Sequence, residues 1–355
     1  MVRSEETSLR SVTGRLPLEY GIIAVLATPT ANKKFPTNIP RYFFNDADTR
    51  MKDLFEQLDP DHDDQVDYIT WSMTLSPKDI SQFTSNCKEV GPLYLATPTA
   101  QELELMDSVY DRARSVAQAA AQTGVRLLMD AEQVRFQPAI DNLVLDLQQQ
   151  FNSPSNVGHP IIYNTYQCYR KDAMHRLKND VERSMLFDYH FGAKLVRGAY
   201  MDSERDLATK SGLPSPIHDT IEDTHQCYNS AVEFLLQKSL EQQDRKLEIM
   251  CATHNQDSIE KAIDAMNRYG IDGTTSNPTL RFAQLYAMAD HLSFSLGNHG
   301  YAVYKYLPYG DIQQVTAFLL RRAQENGAVL GGTSADLGLI ESELRRRFMA
   351  GLRLA

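Results

Sequence analysis

From about residue 120 onward, short β-branched or apolar runs alternate with amphipathic stretches of helical period. Val125–Met129 reads as a strand, followed by a helix around Gln137–Phe151. Pro160–Tyr166 precedes a helix at Lys171–Phe187, and Ala193–Val196 precedes helices between Ile217 and Gln243. Leu247–Ala252 precedes a helix at Gln256–Tyr269. Leu292–Ser295 and Tyr301–Tyr306 read as two more strands, the latter followed by a helix over Ile312–Asn326. An earlier strand is expected at Gly21–Ala27. Repeated β-then-α units predict parallel strands with helices outside. Seven or eight such units point to an α/β protein of the (βα)8 TIM-like barrel class, with its site at the C-terminal strand ends. The alternative is an open doubly wound sheet, which the absence of G-x-G-x-x-G after the early strand weakens.

Residues 40–115 break the alternation. They are polar, with Met51–Leu58, Pro77–Val90 and Ala100–Thr123 as candidate helices, and read as a helical insertion after the first strand. Asp59, Asp61 and Asp63 occupy the first, third and fifth positions of an EF-hand-like loop. Asp64 stands where the sharp turn needs glycine, and Thr70 where Ca²⁺ needs a bidentate glutamate, so an acidic solvated turn is the simpler reading. The motif LATPTA at Leu26–Ala31 recurs at Leu95–Ala100, too short a match to establish a repeat. The expected divisions are a flexible segment over 1–19, a barrel over 20–345 that contains the insertion, and a tail over 346–355.

The chain carries 46 acidic and 36 basic side chains, a net charge of −10. That argues against a general nucleic-acid or anionic-membrane binder, since both require a basic face. The four cysteines, Cys87, Cys168, Cys227 and Cys251, form no C-x-x-C pair and read as reduced thiols. No apolar run approaches the ~20 residues of a spanning helix. Arg3, Arg10 and Arg15 lie among serines and threonines, but Glu5 and Glu6 do not suit a transit peptide.

Strand ends supply the candidate chemistry. Asp130 and Glu132 close the first run of the alternating series, where carboxylates either accept bonds from a ligand or serve a helix N-terminus. In Tyr163–Gln167, alternation puts Asn164 and Tyr166 on one face and Thr165 and Gln167 on the other. Asn164 there suits a heterocycle edge or a satisfied core network. Lys194, Val196 and Tyr200 share parity, and Gly198 with Ala199 would let a flat group approach the backbone. His254 and Asn255 follow another strand. With no second histidine at a ligand spacing, cofactor contact fits them better than a metal. After Tyr304–Gly310, a helix brings Phe318, Arg321 or Arg322, and Glu325 to one face. Paired guanidiniums grip a carboxylate in bidentate fashion, although a surface ion pair has the same pattern.

The run from Arg126 onward resembles proline dehydrogenase in its eukaryotic mitochondrial form. The motifs are RLLMDAEQVRFQPAI, YNTYQCYRKDA, FGAKLVRGAY, ATHN, QLYAMADHLSF and YKYLPYG with FLLRRAQEN, in family order over about two-thirds of the chain. The resemblance implies a (βα)8 barrel holding FAD non-covalently. It implies oxidation of L-proline to Δ1-pyrroline-5-carboxylate by hydride transfer to flavin N5, with ubiquinone as electron acceptor at the mitochondrial inner membrane. Attachment there would be peripheral. By motif position, Arg321 and Arg322 would pair with the proline carboxylate. Tyr306 would pack on the ring, Tyr200 would close the site, and Asp130 would bond within the pocket. Asn164, Lys194, Val196, Gly198, Ala199, His254, Asn255 and Glu325 would line FAD.

Three positions depart from the family pattern. The expected first strand, Gly21–Ala27, lacks the lysine that helps hold the substrate carboxylate. Phe318 stands for a tyrosine and Ala287 for a glycine. The missing lysine motivates a rival reading, a catalytically impaired barrel kept for binding or regulation. Hydroxyproline dehydrogenases of the same family are the nearer rival. They carry a smaller residue where Tyr306 stands, so Tyr306 favours proline. A metal-dependent hydrolase is disfavoured, because no histidine pair stands at a strand end.

Overall fold

The computed structural model describes residues 98–241, 246–274, 278–286 and 288–313, scattered helical positions between 315 and 349, and the short strands β1 (Phe35–Pro36) and β2 (Gln65–Val66), which pair antiparallel. The expected strand Gly21–Ala27, the helices Met51–Leu58 and Pro77–Val90, and the acidic residues 59–64 lie outside the described residues. So do Cys87, Ala287, Phe318, Arg321, Arg322 and Glu325. The chain divides into two compact units, Met1–Glu248 and Ile249–Ala355.

In the first unit, α1 (Ala100–Thr123) has the bounds its sequence predicts, and both ends have a physical cause. Thr99 and Glu102 form a capping box: Glu102 N–H donates to Thr99 Oγ1 at 3.2 Å, and Thr99 N–H donates to the Glu102 carboxylate at 2.8 Å. Gly124 stops the helix in the left-handed region at φ 67°. Ala117 and Ala120 bury the helix against Leu143, Val144 and Leu147 of α2 (Gln137–Phe151).

Between these helices lies β3 (Leu127–Leu128), and β4 (Ile162–Gln167), α3 (Ala173–Leu186) and β5 (Phe191–Val196) continue the alternation. Then come α4 (Met201–Ser211), which the periodicity does not announce, and α5 (Ile221–Glu241). β3 pairs parallel with β4, and β4 with β5. Phe191 N–H donates to the Lys246 carbonyl at 3.0 Å, at the start of β6 (Leu247–Ala252). All six residues of β4 are buried, as expected for a parallel strand covered on both faces.

Asn152 seats α2 against the strand starts. Its Nδ2 donates to the carbonyls of Ile162 (2.9 Å) and His190 (3.0 Å), and its Oδ1 accepts from Ile161 and Ile162 N–H, both at 2.8 Å. The side chain is fully buried and each of its hydrogen-bonding groups is used twice. Asn152→Ala should therefore cost about 2–4 kcal/mol, because several buried backbone groups lose partners at once. Denaturant titration of the variant checks this, and a loss under 1 kcal/mol would contradict it.

In the second unit, β6 continues from Ile249, followed by α6 (Gln256–Tyr269), β7 (Leu280–Leu285), α7 (Asp290–Asn298) and β8 (Val303–Tyr306). β7 pairs parallel with both β6 and β8. One expected strand fails here, and one strand was not foreseen. Leu292–Ser295 lies inside α7, where Leu292, Ser293 and Leu296 form the buried stripe at helical spacing. The strand is Leu280–Leu285, whose apolar run is interrupted by the buried polar residues Arg281 and Gln284. Helical positions 312–313, 315–316 and 319–320 follow β8, consistent with the expected final helix as far as it is described.

Candidate active site

Strand register sorts the expected site residues by face. In a parallel ladder, paired residues point to the same side. Thr165 pairs with Lys194 and Gln167 with Val196, whereas Asn164 pairs with Ala193 and Tyr166 with Leu195. Asn164 Nδ2 donates to Asp141 of α2 at 3.0 Å, and Tyr166 hydroxyl donates to Asp180 of α3 at 2.7 Å. Asn164 and Tyr166 therefore face the helices. Thr165, Gln167, Lys194 and Val196 share the opposite face.

That face collects polar groups from the C-terminal strand ends. Lys194 Nζ meets Asp130 Oδ1 at 2.5 Å, with the lysine side chain only 13% exposed and the aspartate 57%. Thr165 Oγ1 donates to the Met129 carbonyl at 2.6 Å, and Gln167 Nε2 to the Glu132 carbonyl at 3.0 Å. Tyr200, just before α4, donates its hydroxyl to Glu132 Oε1 at 2.8 Å. Asp130, Lys194, Glu132 and Tyr200 thus form two linked acid–partner pairs along one set of strand ends. Gln167 Oε1 is buried and has no partner among the described residues. An amide in that state is suited to a ligand's N–H donor.

Asn164 is not brought to this face. Its Nδ2 is held by Asp141 and its Oδ1 accepts Thr165 N–H at 2.9 Å, inside a buried cluster. In the same cluster Asp141 also accepts from Gln137 at 2.8 Å and from Arg176. Burial, reinforced by the nearby Asp141 charge, pushes the Asp180 carboxyl up to about 7. Gln167 is the residue that reading strand ends one at a time overlooks. The available signal was parity: if Lys194 and Val196 face a ligand, their ladder partners Thr165 and Gln167 do so too.

Gly198 has a cause within the fold itself. Its φ is 142°, and an added Cβ would lie 2.5 Å from the Tyr169 ring. The glycine makes room for that ring. Ala199 continues the turn between β5 and α4. Arg197, the other cation of the motif, turns to α5, with Nε 2.9 Å from His225 Nδ1 and its guanidinium 4.6 Å over the Tyr228 ring.

The second unit holds His254, Asn255 and Tyr306. Leu285 N–H donates to His254 Nε2 at 3.0 Å, which makes Nε2 an acceptor and leaves the proton on Nδ1. Burial, and then the nearby Lys305 charge, hold the His254 pKa below its ordinary value and favour this neutral ring. Asn255 Oδ1 accepts Ser258 N–H at 2.8 Å and caps α6. Tyr306 pairs with Leu285 and Lys305 with Gln284. Lys305 binds Asp290 of α7 at 2.7 Å, and Gln284 accepts from Ser293 of α7 at 2.9 Å. Tyr306 thus lies on the face turned from α7, where it is 41% exposed.

Among the described residues, no cluster of histidine, cysteine and carboxylate side chains is arranged to hold a metal ion. No described helix is long and apolar enough to cross a membrane.

Comparison with known proteins gives the same direction. The chain is 39% identical over 256 residues to proline dehydrogenase 1, mitochondrial, of Drosophila melanogaster, covering 71% of this chain and 37% of that protein. It is 39% identical over 287 residues to hydroxyproline dehydrogenase of Bos taurus, covering 80% of this chain and 60% of that one. It therefore spans less than two-thirds of the length of either relative. The fold resembles that of proline utilization A from Bdellovibrio bacteriovorus inactivated by N-propargylglycine, with a TM-score of 0.56 at 24% identity over 63% of this chain and 22% of that one. The family model described as proline dehydrogenase matches residues 44–335, well over half of the 355 residues, and the chain belongs to that family.

Proposed function

We propose that this chain oxidises L-proline to Δ1-pyrroline-5-carboxylate with FAD as cofactor and ubiquinone as electron acceptor. The observation that carries the reading is the family match over residues 44–335. The polar face of the first unit supports it. Gln167 offers a buried acceptor and Lys194 a largely buried cation on the same face. Those groups fit the N–H and carbonyl edge of a flavin. Bound FAD would supply the two-electron acceptor that side chains lack.

The protein's own contribution is binding, orientation and exclusion of water. By motif position, Arg321 and Arg322 hold the substrate carboxylate and Tyr306 packs on the ring. Asp130 holds Lys194 in place, and Tyr200, fixed by Glu132, closes over the substrate. Lys194, Val196, Gly198, Ala199, His254, Asn255 and Glu325 contact FAD, with Gln167 taking the amide role first assigned to Asn164. A complete (βα)8 barrel with the helical insertion after its first strand belongs to this proposal. So do the division into segments 1–19, 20–345 and 346–355, the mitochondrial location and a peripheral association with the inner membrane.

Hydroxyproline is the second reading, favoured by the 39% identity to a protein named hydroxyproline dehydrogenase. Tyr306 argues against it, because its ring and hydroxyl fill space that a substrate hydroxyl needs. Steady-state kinetics with both substrates decide. The expected kcat/KM favours L-proline by about 10- to 100-fold, the scale on which a pocket rejects one added hydroxyl. Equal or reversed preference would assign hydroxyproline.

A further inference from the structure

Gln137 opens α2, yet its side chain does not serve that helix. Phe136 at the N-cap makes no side-chain bond, and no acid stands in the first turn. Gln137 instead reaches back across the loop 129–136. Its Oε1 accepts Glu132 N–H at 2.8 Å, and its Nε2 donates to Asp141 Oδ1 at 2.8 Å. A carboxylate only accepts and a backbone N–H only donates, so the amide has one orientation. Asp141 is itself held in place. Its Oδ1 also accepts from Asn164 at 3.0 Å, and its Oδ2 accepts from Arg176. Gln137 is fully buried, and Asp141 and Arg176 are buried beside it. Through this amide the helix-side cluster reaches the strand-end face.

Glu132, the residue so held, touches two candidate ligand contacts. Its carbonyl accepts Gln167 Nε2 at 3.0 Å, which leaves Gln167 Oε1 as the open acceptor of that amide among the described residues. Its Oε1 accepts the Tyr200 hydroxyl at 2.8 Å. Two residues on, Val134 N–H donates to the buried Glu204 of α4 at 2.8 Å, so a second helix pins the same loop. Given the roles proposed above for Gln167 and Tyr200, we infer that Gln137 is a positioning residue of the site. It acts through Glu132, whose backbone sets the Gln167 amide and whose carboxylate sets Tyr200. The loop 129–136 has no helix or strand of its own to fix it. Without the Gln137 bond, ordering Glu132, Gln167 and Tyr200 would fall on ligand binding and weaken it. Gln137 supplies that order in advance.

Hydrogen exchange of the purified chain, read by mass spectrometry at single amides, tests the hold directly. In the wild-type protein the Glu132 amide should exchange about tenfold more slowly than in a free peptide, the scale of one hydrogen bond. Gln137→Met keeps the length of the side chain but neither bond. It should abolish that protection while the amides of β4 keep theirs. Should Gln137→Met not fold, Gln137→Glu keeps the acceptor, sets a like charge against Asp141, and should speed exchange at the same amide. Steady-state kinetics of the FAD-loaded protein test the consequence. Gln137→Met should raise KM for L-proline about three- to tenfold with kcat within about twofold. Tyr200→Phe breaks the same linkage at its other end, so the double variant should be no worse than the weaker single variant. Losses that multiply would overturn the inference, because Gln137 would then act independently of Tyr200. Free exchange at Glu132 in the wild-type chain, or exchange there that neither substitution changes, would overturn it as well. Exchange needs no substrate, so it decides the role of Gln137 even in a chain that fails to oxidise proline.

Discussion

Replacing Arg321 and Arg322 together by methionine should lower kcat/KM for L-proline by about 10²- to 10⁴-fold. Each charge-assisted hydrogen bond to a carboxylate contributes roughly 1.5–3 kcal/mol. Methionine keeps much of the apolar stem, so the loss reports the guanidinium heads. Lysine at both positions should recover only part of the activity, since an ammonium keeps the charge but not the two-pronged geometry. The expected effect is large because the run Gly21–Ala27, where a further lysine is expected, contains none. Steady-state kinetics on protein of measured FAD content check the prediction. A loss under tenfold would move the carboxylate contact elsewhere, and loss of bound FAD in step with activity would make the arginines cofactor residues.

The second large effect concerns stability. Arg126 grips Glu248 through two bonds, Nε at 2.8 Å and Nη2 at 3.0 Å, and Tyr163 hydroxyl donates to the same carboxylate. The Glu248 side chain is 3% exposed and that of Arg126 22%. Tyr163 shares the face of Thr165 and Gln167, so this cluster is a polar layer on the same side of the sheet as the candidate site. Glu248→Ala leaves a half-buried guanidinium and a buried phenol without their acceptor. It should cost about 3–5 kcal/mol, the scale for breaking one side of a buried ion pair. Glu248→Gln, which retains shape and an acceptor oxygen, should cost less. Denaturant or thermal unfolding of the two variants gives the comparison. A loss below 1 kcal/mol for Glu248→Ala would show that the cluster contributes little net stability.

Elements with local causes were the legible part of this fold. The bounds of α1 follow from Thr99, Glu102 and Gly124, all adjacent in sequence to what they control. β4, β5 and β6 are continuous apolar or β-prone runs and appear within a few residues of where the pattern puts them. β7 was hidden because the buried polar residues Arg281 and Gln284 interrupt its apolar run, and Gln284 is satisfied by Ser293 of α7. The Arg126–Glu248 pair joins residues 122 apart, a relation no local period encodes.

The site divides the same way. Lys194 and Asp130 were legible as charged residues at strand ends, and the structure pairs them. Asn164 and Gln167 are both amides on one strand, and only register against β5 tells which of them shares a face with Lys194. Gly198 was read as space for a ligand, whereas a tertiary neighbour, Tyr169, already requires that space.

The central claim is that this chain takes electrons from proline through a bound flavin. Anaerobic addition of L-proline to the purified, FAD-reconstituted protein tests it without need of a quinone. The account predicts a yellow protein whose visible flavin absorbance bleaches on adding proline, with Δ1-pyrroline-5-carboxylate formed in equal amount. A yellow protein that proline leaves unbleached, or a colourless one that does not take up FAD, would contradict it.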